Sequence, residues 1–407
     1  MTAKMRPQVG LLVIVFFIVC IGLFSVATSS YDQAKVENRG IYHYLLLHCV
    51  WLVLGTMIFL GIALLKVRML EKLSVFTLII TLVLSALVVF TPLGVTVNGA
   101  TRWLALGPIQ IQPSEFLKLG LNLGLSWWVT RRAGHPRNIW PGFLVATVVL
   151  LAAAGVVIKQ DDLGTCLIIL LIGFVVLLAA RVRVNYIASL GAVLLIAAVL
   201  FVATKPYRMD RVHAWLDPWK HKSDQSYQVV QSFYAFGLGS WHGSGLGQGT
   251  AKYYIPHAHT DFVFATIAEE TGLIGGGTVL ALFTALGCLG VVIAGNARKP
   301  FARLVALGCT AYICGQAALN IAVVTGVVPC TGIPLPFISY GGSSMLSSAM
   351  AIGLLLSVSR NTGGRGTEDI DEDHGNRRRN RRPRISGTGS SGGTPRTPPR
   401  TPTAVRR

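Results

Sequence analysis

The residues best placed to do chemistry lie in Tyr254-Ile255-Pro256-His257-Ala258-His259-Thr260-Asp261-Phe262-Val263-Phe264, where a polar stretch at 205–260 gives way to an apolar run. A carboxylate at such a boundary is costly to hold charged, so Asp261 is a candidate functional group, and its natural chemistry is that of a base. A local role competes with this one. Thr260 or Asp261 could cap the helix that follows by accepting from its first-turn N–H groups, and this stretch alone does not separate the two readings. His257 and His259 would share a face of an extended segment, but only Asp261 is in reach as a third ligand, so no dedicated metal site is expected. Glu269 suggests a two-carboxylate device with Asp261. Eight helical residues span roughly 12 Å, beyond the ~6.5–9.5 Å of an acid/base pair. Glu269 and Glu270 are therefore expected at a helix end or paired with basic groups.

Two further sets of charges fall in or beside apolar runs. Glu115 and Lys118, three apart, share a helix face and can neutralise each other, with Gly120 and Gly124 letting a second helix approach closely. A charged pair facing inward points to a polar cavity, and snorkelling of Lys118 is the plainer alternative. Asp161 and Asp162 sit at a tight turn, where Asp162 could cap the next helix or reach a cation such as Lys118.

These groups need a scaffold, and composition defines it. The 407 residues are 52% hydrophobic and 13% charged, with a mean hydropathy of +0.58, too apolar for a soluble domain. Ten runs are long enough to cross a bilayer core of about 30 Å: 9–28, 44–65, 73–91, 115–130, 141–158, 164–180, 185–204, 273–294, 303–325 and 344–359. The first run is too long for a secretory signal and reads as an anchored helix. The expected fold is thus an all-α polytopic membrane protein of ten transmembrane helices, with a large extracytoplasmic loop between helices 7 and 8. Alternate short loops carry thirteen Lys and Arg against four, the six in the long 205–260 loop counting little toward orientation, which puts both termini in the cytoplasm and 92–114, 159–163, 205–260 and 326–343 outside. The net charge of +19 follows this loop pattern plus a basic tail, and argues for membrane lipids rather than nucleic acid.

The loop at 205–260 is rich in aromatics and reads as a folded layer at the membrane interface, its glycines from Gly237 to Gly249 supplying turns. The segment 326–343, with three prolines and four glycines, is tolerable near membrane depth only against protein or a water-filled cavity, and reads as a wall-forming loop. A membrane domain at 1–359 is expected, followed at 360–407 by a polar, basic, disordered cytoplasmic tail. The seven cysteines give no disulfide or metal spacing.

The Asp261 stretch, with Ser339-Tyr340-Gly341-Gly342-Ser343-Ser344, resembles the SEDS proteins of bacteria, the family of RodA, FtsW and SpoVE, over nearly all of 9–359. Asn98-Gly99-Ala100-Thr101-Arg102-Trp103-Leu104, Gln112-Pro113-Ser114-Glu115-Phe116-Leu117-Lys118, Asp162-Leu163-Gly164-Thr165, Leu216-Asp217-Pro218, Tyr227-Gln228 with Gln231-Ser232, and Gly245-Leu246-Gly247 match in family order. The segment 331–337 is closer to the RodA branch. This chain departs from the pattern at His257, where Glu is usual, at Asp161 in place of Pro, and at Ser240 in place of Gly. The resemblance implies a ten-helix peptidoglycan glycosyltransferase that polymerises lipid II beside a class B penicillin-binding protein. It implies Asp261 as the essential aspartate, with Arg102, Glu115, Lys118 and Asp162 lining the cavity.

The chemistry so implied is attack of a sugar hydroxyl on an anomeric carbon bearing a lipid pyrophosphate. A general base contributes roughly 10²–10⁴-fold to such a step. The leaving phosphates call for positive charge already in place, and Arg102, Arg208, Arg211 and Lys252 are the candidates, with a divalent cation able to share the role. His259 and Thr260 complete the expected substrate-binding set. A lipid II flippase and a non-catalytic scaffold for the penicillin-binding protein are the competing functions.

Overall fold

The computed structural model describes residues 7–363 apart from 31–34, 36–37, 39, 41, 98, 108, 132–138, 205, 224–225 and 257. The tail beyond 363 and His257 lie outside the described residues. Each of the ten apolar runs falls on a helix. These are α1 (Pro7–Ser29), α2 (His43–Leu64), α3 (Val67–Phe90), α4 (Pro113–Arg131), α5 (Val145–Lys159, preceded by a π-helical turn at Ile139–Leu144), α6 (Leu163–Ala179) and α7 (Val184–Ala203). The short helices α8 (Pro206–Leu216), α9 (Tyr227–Gly239) and α10 (Ala251–Tyr254) follow, then α11 (Val263–Asn296), α12 (Pro300–Val324) and α13 (Gly342–Gly363). All of the ten except α4 and α6 are long and apolar enough to cross a membrane, α5 together with the π-helical residues from Gly142. Helix α6 is shorter, at 17 residues, and α4 carries Glu115, Lys118 and Asn122. The chain is a multi-pass membrane protein, its backbone donors satisfied within helices as a bilayer requires.

Burial sorts the helices into centre and rim. The apolar window of α13 is 83% buried and that of α12 56%, against 11% for α2 and 6% for α7. Side chains such as Phe16, Leu195 and Val199 point outward, as they do when the solvent is hydrocarbon. Helices α4, α12 and α13 thus form the middle, and here the small residues act as the sequence suggested. A Cβ at Gly120 would strike Thr81, and one at Gly124 would strike Leu78, so α3 lies directly against α4. Near the N-terminus of α12, Asn122 donates to the Val305 carbonyl at 3.0 Å, a buried polar tie between α4 and α12.

Two features differ from the sequence expectation. The first lies at 92–114, read as plain loop. It folds as a three-stranded antiparallel sheet of β1 (Gly94–Val97), β2 (Ala100–Leu106) and β3 (Ile109–Ile111), in the order β1-β2-β3, with Gly94 opposite Leu104 and Leu104 opposite Ile111. Its β-branched residues flank turns at Gly99 and Gly107, a weak hairpin signature overshadowed by the helical pattern on either side. The second is the start of α11. The helix begins at Val263, not Leu273, and is broken at Gly272, whose φ of 68° and ψ of −167° leave the helical region. The backbone groups freed by the break find partners in the Gly-rich segment. Leu273 donates to the Ser240 carbonyl, Ser244 to that of Glu269, and Gly245 to that of Glu270. A Cβ at Gly243 would collide with the Glu270 carbonyl, so these glycines permit close backbone contact rather than looseness.

Candidate active site

Four connecting segments meet at one end of the bundle. Arg102 on β2 donates to the Asp161 carbonyl. Gln112 donates from its backbone to Ser343 at 2.9 Å and from its side chain to Asp162 at 2.9 Å. Trp215 Nε1 donates to the Gly326 carbonyl at 3.0 Å. At the head of α6, a Cβ at Gly164 would meet the side chains of Ile333 and Thr331. The Gly/Pro segment 326–343 therefore lies between the Asp162 turn and the Asp261 stretch, a wall within protein.

Asp261 is half-buried and sits just before α11. Phe262, not Thr260 or Asp261, stands at the N-cap position of α11. The backbone of Asp261 is held from α12. Asn320 Nδ2, on α12, donates to the Asp261 carbonyl at 2.8 Å and to the Ile333 carbonyl at 2.6 Å. Gly332, at a φ of +67°, stands where a Cβ would come within 3.4 Å of Asp261 Oδ2. Two residues upstream, the buried His259 ring lies 4.9 Å from Tyr44 and 5.6 Å from Tyr340, and its carbonyl accepts from the Tyr340 N–H at 2.9 Å. Thr260, between the two, is half-buried.

Next to this stretch, α8, α9 and the Gly326–Cys330 segment enclose a cavity of about 210 Å³ lined by Arg211, Trp215, Gln228, Phe233 and Cys330. Burial pushes the Cys330 thiol up. The negative charge of Asp261 pushes the same way and the Arg211 guanidinium opposes it, so carboxylate and guanidinium both act at one thiol. Gln228 ties this wall to the Asp261 stretch, donating to the Pro256 carbonyl at 3.2 Å.

The other candidates are placed differently. Lys252 Nζ donates to the Gly247 carbonyl at 2.7 Å and stands 3.5 Å from Glu270, with both side chains almost fully buried. Glu269 accepts from Thr250 N at 2.7 Å, Thr250 Oγ1 at 2.9 Å and Ala251 N at 2.8 Å, fastening α10 to α11. Glu270 is thus paired with a basic group, as expected, whereas Glu269 lies inside α11 and is held by the start of α10 rather than by a basic side chain. Asp162 is the N-cap of α6, accepting from Thr165 N at 3.1 Å. Glu115 and Lys118 are sealed in the core at 2% and 0% exposure, paired at 2.8 Å. Lys118 also donates to Gln316 at 2.6 Å, and Ser347 donates to Glu115 at 2.8 Å. The side chain of Arg208 lies outside the described residues.

Sequence reasoning passed over Gln316 and Asn320. They sit four apart with Tyr312 on one face of α12, and polar residues at helical spacing inside an apolar run were the available signal.

The model for the family described as cell cycle protein FtsW/RodA/SpoVE matches residues 9–363. The chain belongs to that family. Among members of the FtsW/RodA/SpoVE family it is 37% identical over 362 residues to "Probable peptidoglycan glycosyltransferase FtsW" of Marinobacter nauticus, covering 88% of this chain and 90% of that one. It is 34% identical over 360 residues to stage V sporulation protein E of Bacillus subtilis, covering 88% and 98%. Among solved structures it resembles a chain described under "Structural coordination of polymerization and crosslinking by a peptidoglycan synthase complex", with a TM-score of 0.72, 32% identity, and 87% and 98% coverage. It also resembles the Thermus thermophilus rod shape determining protein RodA, with a TM-score of 0.65, 27% identity, and 87% and 97% coverage. Family likeness therefore reaches FtsW by sequence and RodA by structure.

Proposed function

We propose that this chain is a peptidoglycan glycosyltransferase that polymerises lipid II into glycan strands for wall elongation or division, with Asp261 as general base. The observation that carries the reading is the placement of Asp261. It is half-exposed and backbone-clamped at the junction of the four segments, beside a cavity that also holds Arg211, in a chain whose relatives are named for this activity. The sugar hydroxyl oxygen attacks the anomeric carbon and gives its proton to Asp261. The bond from that carbon to the pyrophosphate breaks with inversion, and the lipid pyrophosphate leaves. Arg211 is the cation best placed to meet its charge, with Arg102 beside the Asp162 turn as the next candidate. Lys252 is committed to Glu270 and Gly247, and so serves the loop rather than the phosphates. We place the segments that gather around Asp261 on the extracytoplasmic side, both termini in the cytoplasm, and a class B penicillin-binding protein as partner. The charge distribution supports the orientation, and the likeness to a chain of a peptidoglycan synthase complex supports the partner.

Detergent-solubilised protein given purified lipid II tests the proposal. Wild type forms glycan polymer without a second compartment, which a flippase does not, and Asp261→Ala stays folded but forms none. Polymer from Asp261→Ala at the wild-type rate overturns it.

A further inference from the structure

We infer that Asn320 is a positioning residue for the reaction. It does not touch substrate. Its single amide nitrogen holds the Asp261 carbonyl at 2.8 Å and the Ile333 carbonyl at 2.6 Å, so the turn bearing the base and the Gly/Pro wall are pinned to one point on α12. Asn320 is 1% exposed, which shields both bonds from bulk water. Its neighbour one turn back repeats the device, since Gln316 Nε2 donates to the Pro334 carbonyl at 3.0 Å. Consecutive carbonyls of the wall, at 333 and 334, are thus gripped by consecutive turns of one helix. The gap being set is the one across which Gly332 faces Asp261 Oδ2. At Gly332 the wall comes close to the carboxylate, and a slip of the wall there closes the base off or leaves it without its surroundings. A misplacement of about 1 Å at a reacting group can cost about 100-fold in rate.

The inference rests on Asp261 being the base, and a matched pair of variants tests it. Asn320→Ala removes the clamp. Asn122→Ala removes a tie from an equally buried asparagine to the Val305 carbonyl of the same helix, far along α12 from Asp261. Initial rates of lipid II polymerisation in detergent, over a range of substrate concentrations, are read beside thermal melting. Asn320→Ala is expected to lower kcat by at least about 10-fold with KM within about 2-fold. Asn122→Ala is expected to lower the melting temperature and leave kcat unchanged. Asn320→Asp keeps the volume but turns an acceptor toward both carbonyls, and is expected to be at least as slow as Asn320→Ala. If kcat falls in both Ala variants in proportion to lost melting temperature, or if Asn320→Ala keeps wild-type kcat while Asp261→Ala is inactive, Asn320 does not position the base. If Asp261→Ala is itself active, the proposed function fails instead.

Discussion

At the scale of single residues, Asp261 is defined by what surrounds it. The proposed role as base asks for a carboxylate that is reachable and held still, and here the residue is half-buried while its own carbonyl and that of His259 are bonded to other elements. Cys330 supplies a reporter of that environment. Its thiol is raised by burial and by the Asp261 charge, and lowered by Arg211. Removing the negative charge favours the thiolate, and removing the positive charge disfavours it. In a chain where Cys330 is the sole cysteine, Asp261→Asn is therefore expected to alkylate faster at pH 8 than its parent and Arg211→Ala slower, because the thiolate is the reacting form. The rate of iodoacetamide labelling checks this, and equal rates in all three chains would mean that the charges and the thiol do not share one site.

At the scale of elements, the break in α11 shows how a helix start is moved to serve a site. Gly272 lets the chain turn so that Val263–Thr271 stands apart from the spanning part, carrying Glu269 and Glu270 to the loop they fasten. At a φ of 68° with a ψ of −167° an L residue costs about 1–3 kcal/mol, and at Gly272 a Cβ would also meet the Trp241 carbonyl. Gly277 lies five residues further along the same helix with nothing near its missing Cβ. Thermal melting in detergent is expected to fall for Gly272→Ala and to hold or rise for Gly277→Ala, since alanine gains up to about 1 kcal/mol over glycine in a helix interior. A similar melting point for both would deny the break its strain. The ten apolar runs were legible because lipid imposes length and hydrophobicity on every spanning helix. The upper turns of α11 were not, because Glu269 and Glu270 interrupt the apolar pattern for reasons that lie eighteen to nineteen residues away in sequence. The sheet at 94–111 was missed because its strands are three to seven residues long, too short to show a period. In the site, Asp261 and Asp162 could be singled out as charges beside apolar runs, and Arg102 and Arg211 as cations that the implied phosphates call for. Asn320 and Gln316 could not be ranked until their carbonyl partners on a distant loop were known.

At the scale of the whole molecule, the centre is held by a polar seam rather than by apolar packing alone. Ser347 on α13 donates to Glu115 on α4, Glu115 pairs with Lys118, Lys118 donates to Gln316 on α12, and Gln316 donates to the wall beside Asp261. Charges so deeply buried are stable only while each has its partner, and removal of one member of a buried pair typically costs about 3–5 kcal/mol, whereas replacing both with uncharged groups is close to neutral. Glu115→Gln and Lys118→Met are each expected to lower stability by that order, and the double variant Glu115→Gln/Lys118→Met to recover most of it in a melting experiment. Polymerisation then separates two roles for the pair. With Lys118 gone, Gln316 keeps its place on α12 but loses the cation that orients its amide, so the wall at Pro334 is less firmly set. The double variant is accordingly expected to melt like wild type yet turn over more slowly, with KM unchanged. A raised KM in that folded protein would mean that substrate reaches the pair directly, and that the seam opens during the reaction to admit it.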